Sequence, residues 1–555
     1  MGERGDAEGA SLQLPLLPPG KTYPAGFHCS EKPASCQFHL AYFLADGFDL
    51  TKKQRLNILF IPGGPGAIVD TGGRTAALRL LEKKHNLVYF HPRGMAGSAI
   101  DGSKEYDQFL RADYVVEDIE RLRQEVLKGR AWDAIYSHSW GTVVAQRYAA
   151  RYGAEKVKSL ILSGPVDRHR ADTSGARTRM TVDNLKAIFS YYRTQGPAHC
   201  QCASSSFLKS LVTDYAEPQI TILDNRLGPS DNFCFLKPEA AVKIAQRLEK
   251  ILPQIEENYG SADFVVDHYA ELKNDDKGFQ AAFGKFPIEF FAAVRYLQMT
   301  GAPEKDSLVF VADSRNRINA ALVIAYYFTP DNPSRCSLKS GLFAGTAADC
   351  EYCERLKAAG EELRARLGGR ESRRGNYVFG VYDGVARWIS LIMDKPGCFT
   401  GKDLENFAER SGEAKTFGRE QARKIGIVEN ENICPWNPAD YRHEVPTLLV
   451  KGSRDTVVAG CQAEDFLING LTDDRRVLLE FRGLGHDMSV ANLYEGSDPS
   501  SWSKTFASLL EDFIKMSAVP AQFRSDTKVK AKLKKLKARD RTRDPNIAAR
   551  CGKSS

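Results

Sequence analysis

The sequence predicts an α/β protein built on a mostly parallel, doubly wound sheet, and three observations predict it. Between residues 56 and 166, apolar runs of strand length alternate with stretches of helical spacing, the pattern of βαβ units. The alternation then stops and resumes only at residue 443. Tight, small-residue turns follow the C-terminal ends of the apolar runs, the edge at which open α/β sheets bind ligands.

The first run, Leu-Asn-Ile-Leu-Phe-Ile at 56–61, reads as a buried strand and leads into Pro62-Gly-Gly-Pro-Gly66. Three glycines and two prolines make a rigid loop whose free backbone N–H groups can face a ligand, and Pro65 has none to offer. A second strand is expected at 86–90, ending in His91-Pro-Arg-Gly-Met-Ala-Gly-Ser98. Val115, Ile119, Leu122 and Val126 recur at helical spacing within 113–128. Further strands are expected at 157–165, at 445–455 and at 477–481, the last followed by Arg-Gly-Leu-Gly-His486.

The most informative residues are Ser137-His-Ser-Trp-Gly141. They separate the short apolar run 134–136 from an apolar-periodic stretch, a strand, a sharp turn and a helix with Ser139 at the apex. A serine so placed is pushed into solvent, and the helix N-terminus behind it can stabilise an oxyanion. The turn needs small residues two positions before and after; Gly141 suits this better than Ser137. His138 is expected to face away from the nucleophile and to serve packing. Ser139, Asp455 and His486 each follow the C-terminal end of an expected strand, in the chain order Ser…Asp…His. Ser139 is the candidate nucleophile, His486 the general base and Asp455 the group that orients the imidazole, with Asp487 and Asp167 as rivals for the last role. The oxyanion donors are expected to be the backbone N–H groups of Trp140 and Gly64, and Arg93 is expected to brace loops beneath the site.

Gly63-Gly-Pro-Gly66, Arg93-Gly94 with Gly97-Ser98, Ser139-Trp-Gly141, Gly452-Ser-Arg-Asp455 and Gly485-His486 together resemble the landmarks of the α/β-hydrolases, in the proline iminopeptidase and tripeptidyl aminopeptidase branch. The resemblance covers 56–166 and 443–515. It departs at Pro62, where the family usually has histidine, at His91 (aspartate), and at Ala96 and Ser137 (glycine). It implies an α/β-hydrolase fold with a large, mainly helical cap inserted in the core. It also implies a serine hydrolase that removes N-terminal residues, proline-like or other, from short peptides through an acyl-enzyme, with no cofactor and no metal. A carboxylesterase or other small-ester or amide hydrolase on the same triad is the alternative, and a catalytically silent binding protein of the same fold is a further one. Members of this branch hold the substrate amine with cap carboxylates. The stretch 376–384 resembles the segment that carries one, which nominates Asp383.

The domain plan that follows has a flexible N-terminus at 1–25, core at 26–167, cap at 168–442, core at 443–517 and a tail at 518–555. Helical spacing occurs in the insert at 180–193, 240–252, 286–297 and 348–367. With 555 residues and 43% hydrophobic content the chain can bury a large core. Its net charge of +7 is a property of the tail: twelve Lys/Arg against three Asp from Arg524 onward leave +9, so the preceding 523 residues carry −2. The catalytic body therefore has no basic footprint for nucleic acid. The tail is expected to be solvated and disordered, with attraction to nucleic acid or anionic lipid as the second reading. No segment reaches the roughly 18 apolar residues of a membrane span. No signal peptide is visible, and a cytoplasmic location is expected. Twelve cysteines pull the other way. Secreted relatives of the branch use disulfides, for which Cys29/Cys36, Cys200/Cys202, Cys350/Cys353, Cys398 and Cys434 are candidates. The Cys200, Cys202, Cys350 and Cys353 set could alternatively bind zinc, while scattered reduced thiols are the expectation for a cytosolic protein.

Overall fold

The structure, a computed structural model, describes residues 10–17, 36–63, 76–94, 96–98, 100, 112–166, 442–458, 460–468, 475–486, 501–547 and 551, with short stretches between 179 and 291. A nine-stranded sheet forms the core, in the order β1-β2-β4-β3-β5-β6-β9-β10-β11. Its centre is parallel: β4 (Asn86–Phe90), β3 (Asn57–Ile61), β5 (Ala134–His138), β6 (Leu160–Ser163), β9 (Thr447–Gly452) and β10 (Arg476–Phe481). Every residue of β3, β4, β6 and β10 is buried, because helices cover both faces of a parallel sheet. That is why these strands read as mainly apolar runs.

On one face lie α2 (Ala112–Leu127) and α3 (Trp140–Lys156), packed around Val115, Ile119, Leu122, Val144 and Tyr148. The other face is covered by α1 (Ala76–Glu82) and the long helix Ser501–Met516, through Leu78, Leu81, Phe506, Leu510 and Phe513. The helix expected at 113–128 is therefore α2, nearly residue for residue.

β6 and β9 are parallel neighbours, Leu160 opposite Thr447 and Ser163 opposite Val450, although more than 280 residues separate them in sequence. The described parts of the chain between them include a two-stranded pairing of β7 (Ala203–Ser204) with β8 (Asn232–Phe233), and two short helices, α4 (Tyr269–Asp275) and α5 (Lys277–Phe283). The two helices were not anticipated from spacing. Asp276 caps α5 by accepting from the Phe279 N–H at 3.0 Å, and Tyr269, Phe279, Phe283 and Phe291 cluster there. The spacing at 348–367 lies outside the described residues.

Two expectations about the ends are overturned. The first 25 residues are not all a flexible lead: β1 (Ala10–Pro15) pairs antiparallel with β2 (Gln37–Leu44), and Leu14, Leu16 and Leu17 are buried. A six-residue edge strand needs only one apolar face, so it carries too little hydrophobic signal to stand out. The basic segment is likewise ordered rather than disordered. It forms α8 (Pro520–Ser525), α9 (Thr527–Lys535) and β11 (Ala538–Asp540), counting α6 (Gln462–Ile468) and α7 (Ser501–Met516) before them. Phe523, Val529 and Leu536 are buried against the core, Asp526 caps α9 through the N–H groups of Lys528 and Val529, and β11 pairs antiparallel with β10. A thin apolar stripe bought order here despite the lysines, because it docks on α7 and a free sheet edge.

Cys551 closes this segment onto the core through a disulfide to Cys461, with Cα atoms 5.6 Å apart. Cys36 is also disulfide-bonded. These cysteines are therefore not among the scattered reduced thiols that were expected. The Cys461–Cys551 pairing was not among the candidates, because 90 residues of sequence separation hide it. Cys200, Cys202, Cys350, Cys353, Cys398 and Cys434 lie outside the described residues. Among the described residues, no helix is long and apolar enough to cross a membrane.

Candidate active site

Ser139 sits between β5 and α3 with φ 50° and ψ −122°, a conformation that a side-chain-bearing residue adopts only when its surroundings impose it. The imposition is visible. The Ser139 N–H donates to the Ser163 carbonyl at 2.9 Å, and its own carbonyl accepts from the Thr142 N–H at 2.8 Å and the Thr142 hydroxyl at 2.6 Å. The small-residue requirement is equally concrete. A β-carbon at Gly141 would stand 2.5 Å from the Pro62 carbonyl oxygen and 2.7 Å from that of Ile61, so only glycine lets α3 start this close to β3. Ser137 is fully buried, and its hydroxyl donates to the Ile161 carbonyl at 3.3 Å.

The glycine loop enters the same place. A β-carbon at Gly63 would stand 3.2 Å from the Ser139 Cβ. Trp140 is the first residue of α3, at the positive end of the helix dipole. Gly64, the other expected oxyanion donor, lies outside the described residues, as do Asp383 and the rival acids Asp487 and Asp167.

Asp455 and His486 come from the loops after the neighbouring strands β9 and β10, and Gly452 is what lets those loops meet. A β-carbon there would stand 2.1 Å from the Leu484 carbonyl oxygen and 2.3 Å from that of Gly485. The loops are also stitched together: the Arg454 N–H donates to the Leu484 carbonyl at 2.9 Å, and the Gly483 N–H to the Ser453 hydroxyl at 2.9 Å. In consequence the Asp455 Oδ2 lies 2.9 Å from the His486 Nδ1, with both side chains almost wholly buried, at 4% and 2% exposure. The other carboxylate oxygen accepts from the N–H groups of Val457 and Val458 at 3.0 and 2.9 Å. The carboxylate is thus held at both ends, one of which faces the imidazole.

β6 connects the two halves. Ser163 receives the Ser139 N–H, and the next residue, Gly164, lies against the His486 ring. His138 also meets that ring, with centroids 4.9 Å apart and planes at 43°. It packs, as expected, but against the imidazole of His486 rather than away from the site. Gly164 was missed altogether; the only signal was a glycine directly after an apolar run.

Arg93 is a brace. Its Nε and Nη2 donate to the two oxygens of Asp118 at 2.7 and 2.6 Å, and Nη1 donates to the Leu16 carbonyl at 2.6 Å. The guanidinium also lies near the rings of Phe38 and Tyr114. It therefore ties α2, the loop after β4 and the N-terminal segment together inside the core.

The arrangement suits nucleophilic acyl transfer: a serine on a strained elbow, a helix N-terminus behind it, and an imidazole oriented by a buried carboxylate. The protein family described as alpha/beta hydrolase fold matches residues 57–314. No curated protein matches the chain. Solved structures similar to it include a serine hydrolase from the bacterium Cycloclasticus zankles, at 13% identity over 86% of this chain and 95% of that one, with a TM-score of 0.29. Potato (Solanum tuberosum) epoxide hydrolase I is 15% identical over the same shares, with a TM-score of 0.29. The esterase RhEst1 from Rhodococcus sp. ECU1013 is 11% identical over the same shares, with a TM-score of 0.30.

Proposed function

We propose that this chain, which carries the α/β-hydrolase fold, is a serine hydrolase working through an acyl-enzyme on Ser139. The observation that carries the reading is the buried 2.9 Å contact between the Asp455 carboxylate and the His486 imidazole beside a nucleophile elbow with φ 50°. The Ser139 hydroxyl attacks a substrate carbonyl while the Nε2 of His486 takes its proton, and Asp455 stabilises the resulting imidazolium. The Trp140 N–H and one from the glycine loop, Gly64 in this reading, hold the oxyanion; losing one such donor typically costs a factor of about 100–1,000. His486 then protonates the leaving group, and water releases the acyl group by the same steps in reverse order.

The substrate reading is an aminopeptidase that removes N-terminal residues, proline-like ones included, from short peptides. It rests on the likeness of Gly63-Gly-Pro-Gly66 and Ser139-Trp-Gly141 to the proline iminopeptidase branch, with Asp383 as the group that would bind the free amine. The triad itself cleaves amides and esters alike. Hydrolysis of matched reporters tests the reading: free-amine prolyl and alanyl amides, the same amides acetylated, and short-chain esters, with Ser139→Ala as control. Turnover confined to free-amine amides and lost in the control is the expected result. Turnover of esters regardless of the amine makes the protein an esterase instead.

A further inference from the structure

His138 ends β5, one residue before the elbow, and is half-buried. Its imidazole touches two parts of the site. One is the His486 ring, at 4.9 Å between centroids. The other is the start of the glycine loop, where a β-carbon at Gly63 would stand 3.1 Å from the His138 Cδ2. Glycine at 63 therefore lets the loop close on this ring, and the ring in turn fills the space beside the general base. The His486 imidazole meets Asp455 from the loop after β9 and His138 from β5, and β6 brings the backbone of Gly164 against it.

We propose that His138 is a positioning residue for the general base, keeping the His486 imidazole in its pose against Gly164. A physical consequence follows. A ring that loses its lateral packing can tilt about the Asp455 hydrogen bond, and a misplacement of about 1 Å in a catalytic group can cost about 100-fold in rate.

This inference rests on the acyl-enzyme reading, so the probe is one that needs Ser139 but no knowledge of the substrate. A fluorophosphonate reacts by forming a bond from the serine oxygen to phosphorus as fluoride leaves, with the serine proton passing to the base. The labelling rate of the purified full chain is measured for the wild type, His138→Phe, His138→Ala and Ser139→Ala. Phenylalanine keeps a ring of similar size; alanine removes the ring. The rate should fall about tenfold or more in His138→Ala, with His138→Phe recovering most of it. An undiminished rate in folded His138→Ala, or no recovery in His138→Phe, overturns the positioning role. Labelling that survives in Ser139→Ala instead overturns the underlying reading, so the two failures are told apart.

Discussion

The imidazole of His486 rests on the backbone of Gly164: a β-carbon at that glycine would stand 2.7 Å from Cε1 and 2.9 Å from Nδ1. Gly164 has φ +56°, so a side chain there would be unfavourable even in open space. The residue that follows β6, the strand whose Ser163 receives the Ser139 N–H, is thus also the floor under His486. This contact links two stretches of chain more than 300 residues apart.

Gly164→Ala should therefore damage function more than stability. The left-handed backbone costs about 1–2 kcal/mol for a residue with a β-carbon. Displacing the ring also disturbs the Nδ1 contact to Asp455. We expect fluorophosphonate labelling to slow by about 100-fold, while thermal unfolding moves by only a few degrees. Near-normal labelling would mean that the ring has room to shift without cost.

Asp455→Asn should preserve the loop and lose the base. An asparagine Oδ1 can keep the Val457 and Val458 N–H groups, which leaves the amide NH2 facing His486 Nδ1. A donor there selects the tautomer with its proton on Nε2, the atom that accepts from the serine in the proposed mechanism. A fall of about 10,000-fold in kcat, with an unchanged circular dichroism spectrum, is the expected outcome. A fall of only a few-fold would hand the orienting role to another acid.

His443 gives the protein an acid-sensitive core. Burial, with the Arg476 charge beside it, pushes its imidazole down to about 3. The unfolded chain takes a proton on this group below about pH 6.5, where the folded chain does not. Its full contribution to stability is present above that pH and is lost as pH falls toward 3. Urea unfolding near pH 7.5 and near pH 5 should show the wild type losing about 2 kcal/mol more than His443→Leu. Equal losses would show that the imidazole reaches solvent or a proton-accepting partner.

Cys551→Ser tests the C-terminal staple. The Cys461–Cys551 bond closes a loop across 90 residues, and chain entropy alone assigns such a closure about 4–5 kcal/mol. We expect a lower unfolding temperature and faster proteolysis within the segment that carries β11 and α9, both reproduced by reducing the wild type. If neither changes, the apolar contacts of Phe523, Val529 and Leu536 suffice to hold the segment.

The strands that could be read directly are those buried on both faces. β3, β4, β6, β9 and β10 announce themselves as apolar runs, and Ser139, Asp455 and His486 could be nominated because each follows one of them. The elements that could not be read lie at the edges. β1 and β2 bury one face, and α9 buries Val529, with Leu536 just after it, within a run of lysines, so composition outweighs pattern there.

The sequence by itself determined the parallel core, the order of the three polar residues and the glycines that tight turns demand, because burial and backbone sterics act on neighbours along the chain. Only the tertiary structure decided which partners they meet. That Asp455 reaches His486, that His138 and Gly164 hold the imidazole, and that Cys551 returns to Cys461 all depend on adjacent strands from distant sequence, which local pattern does not encode.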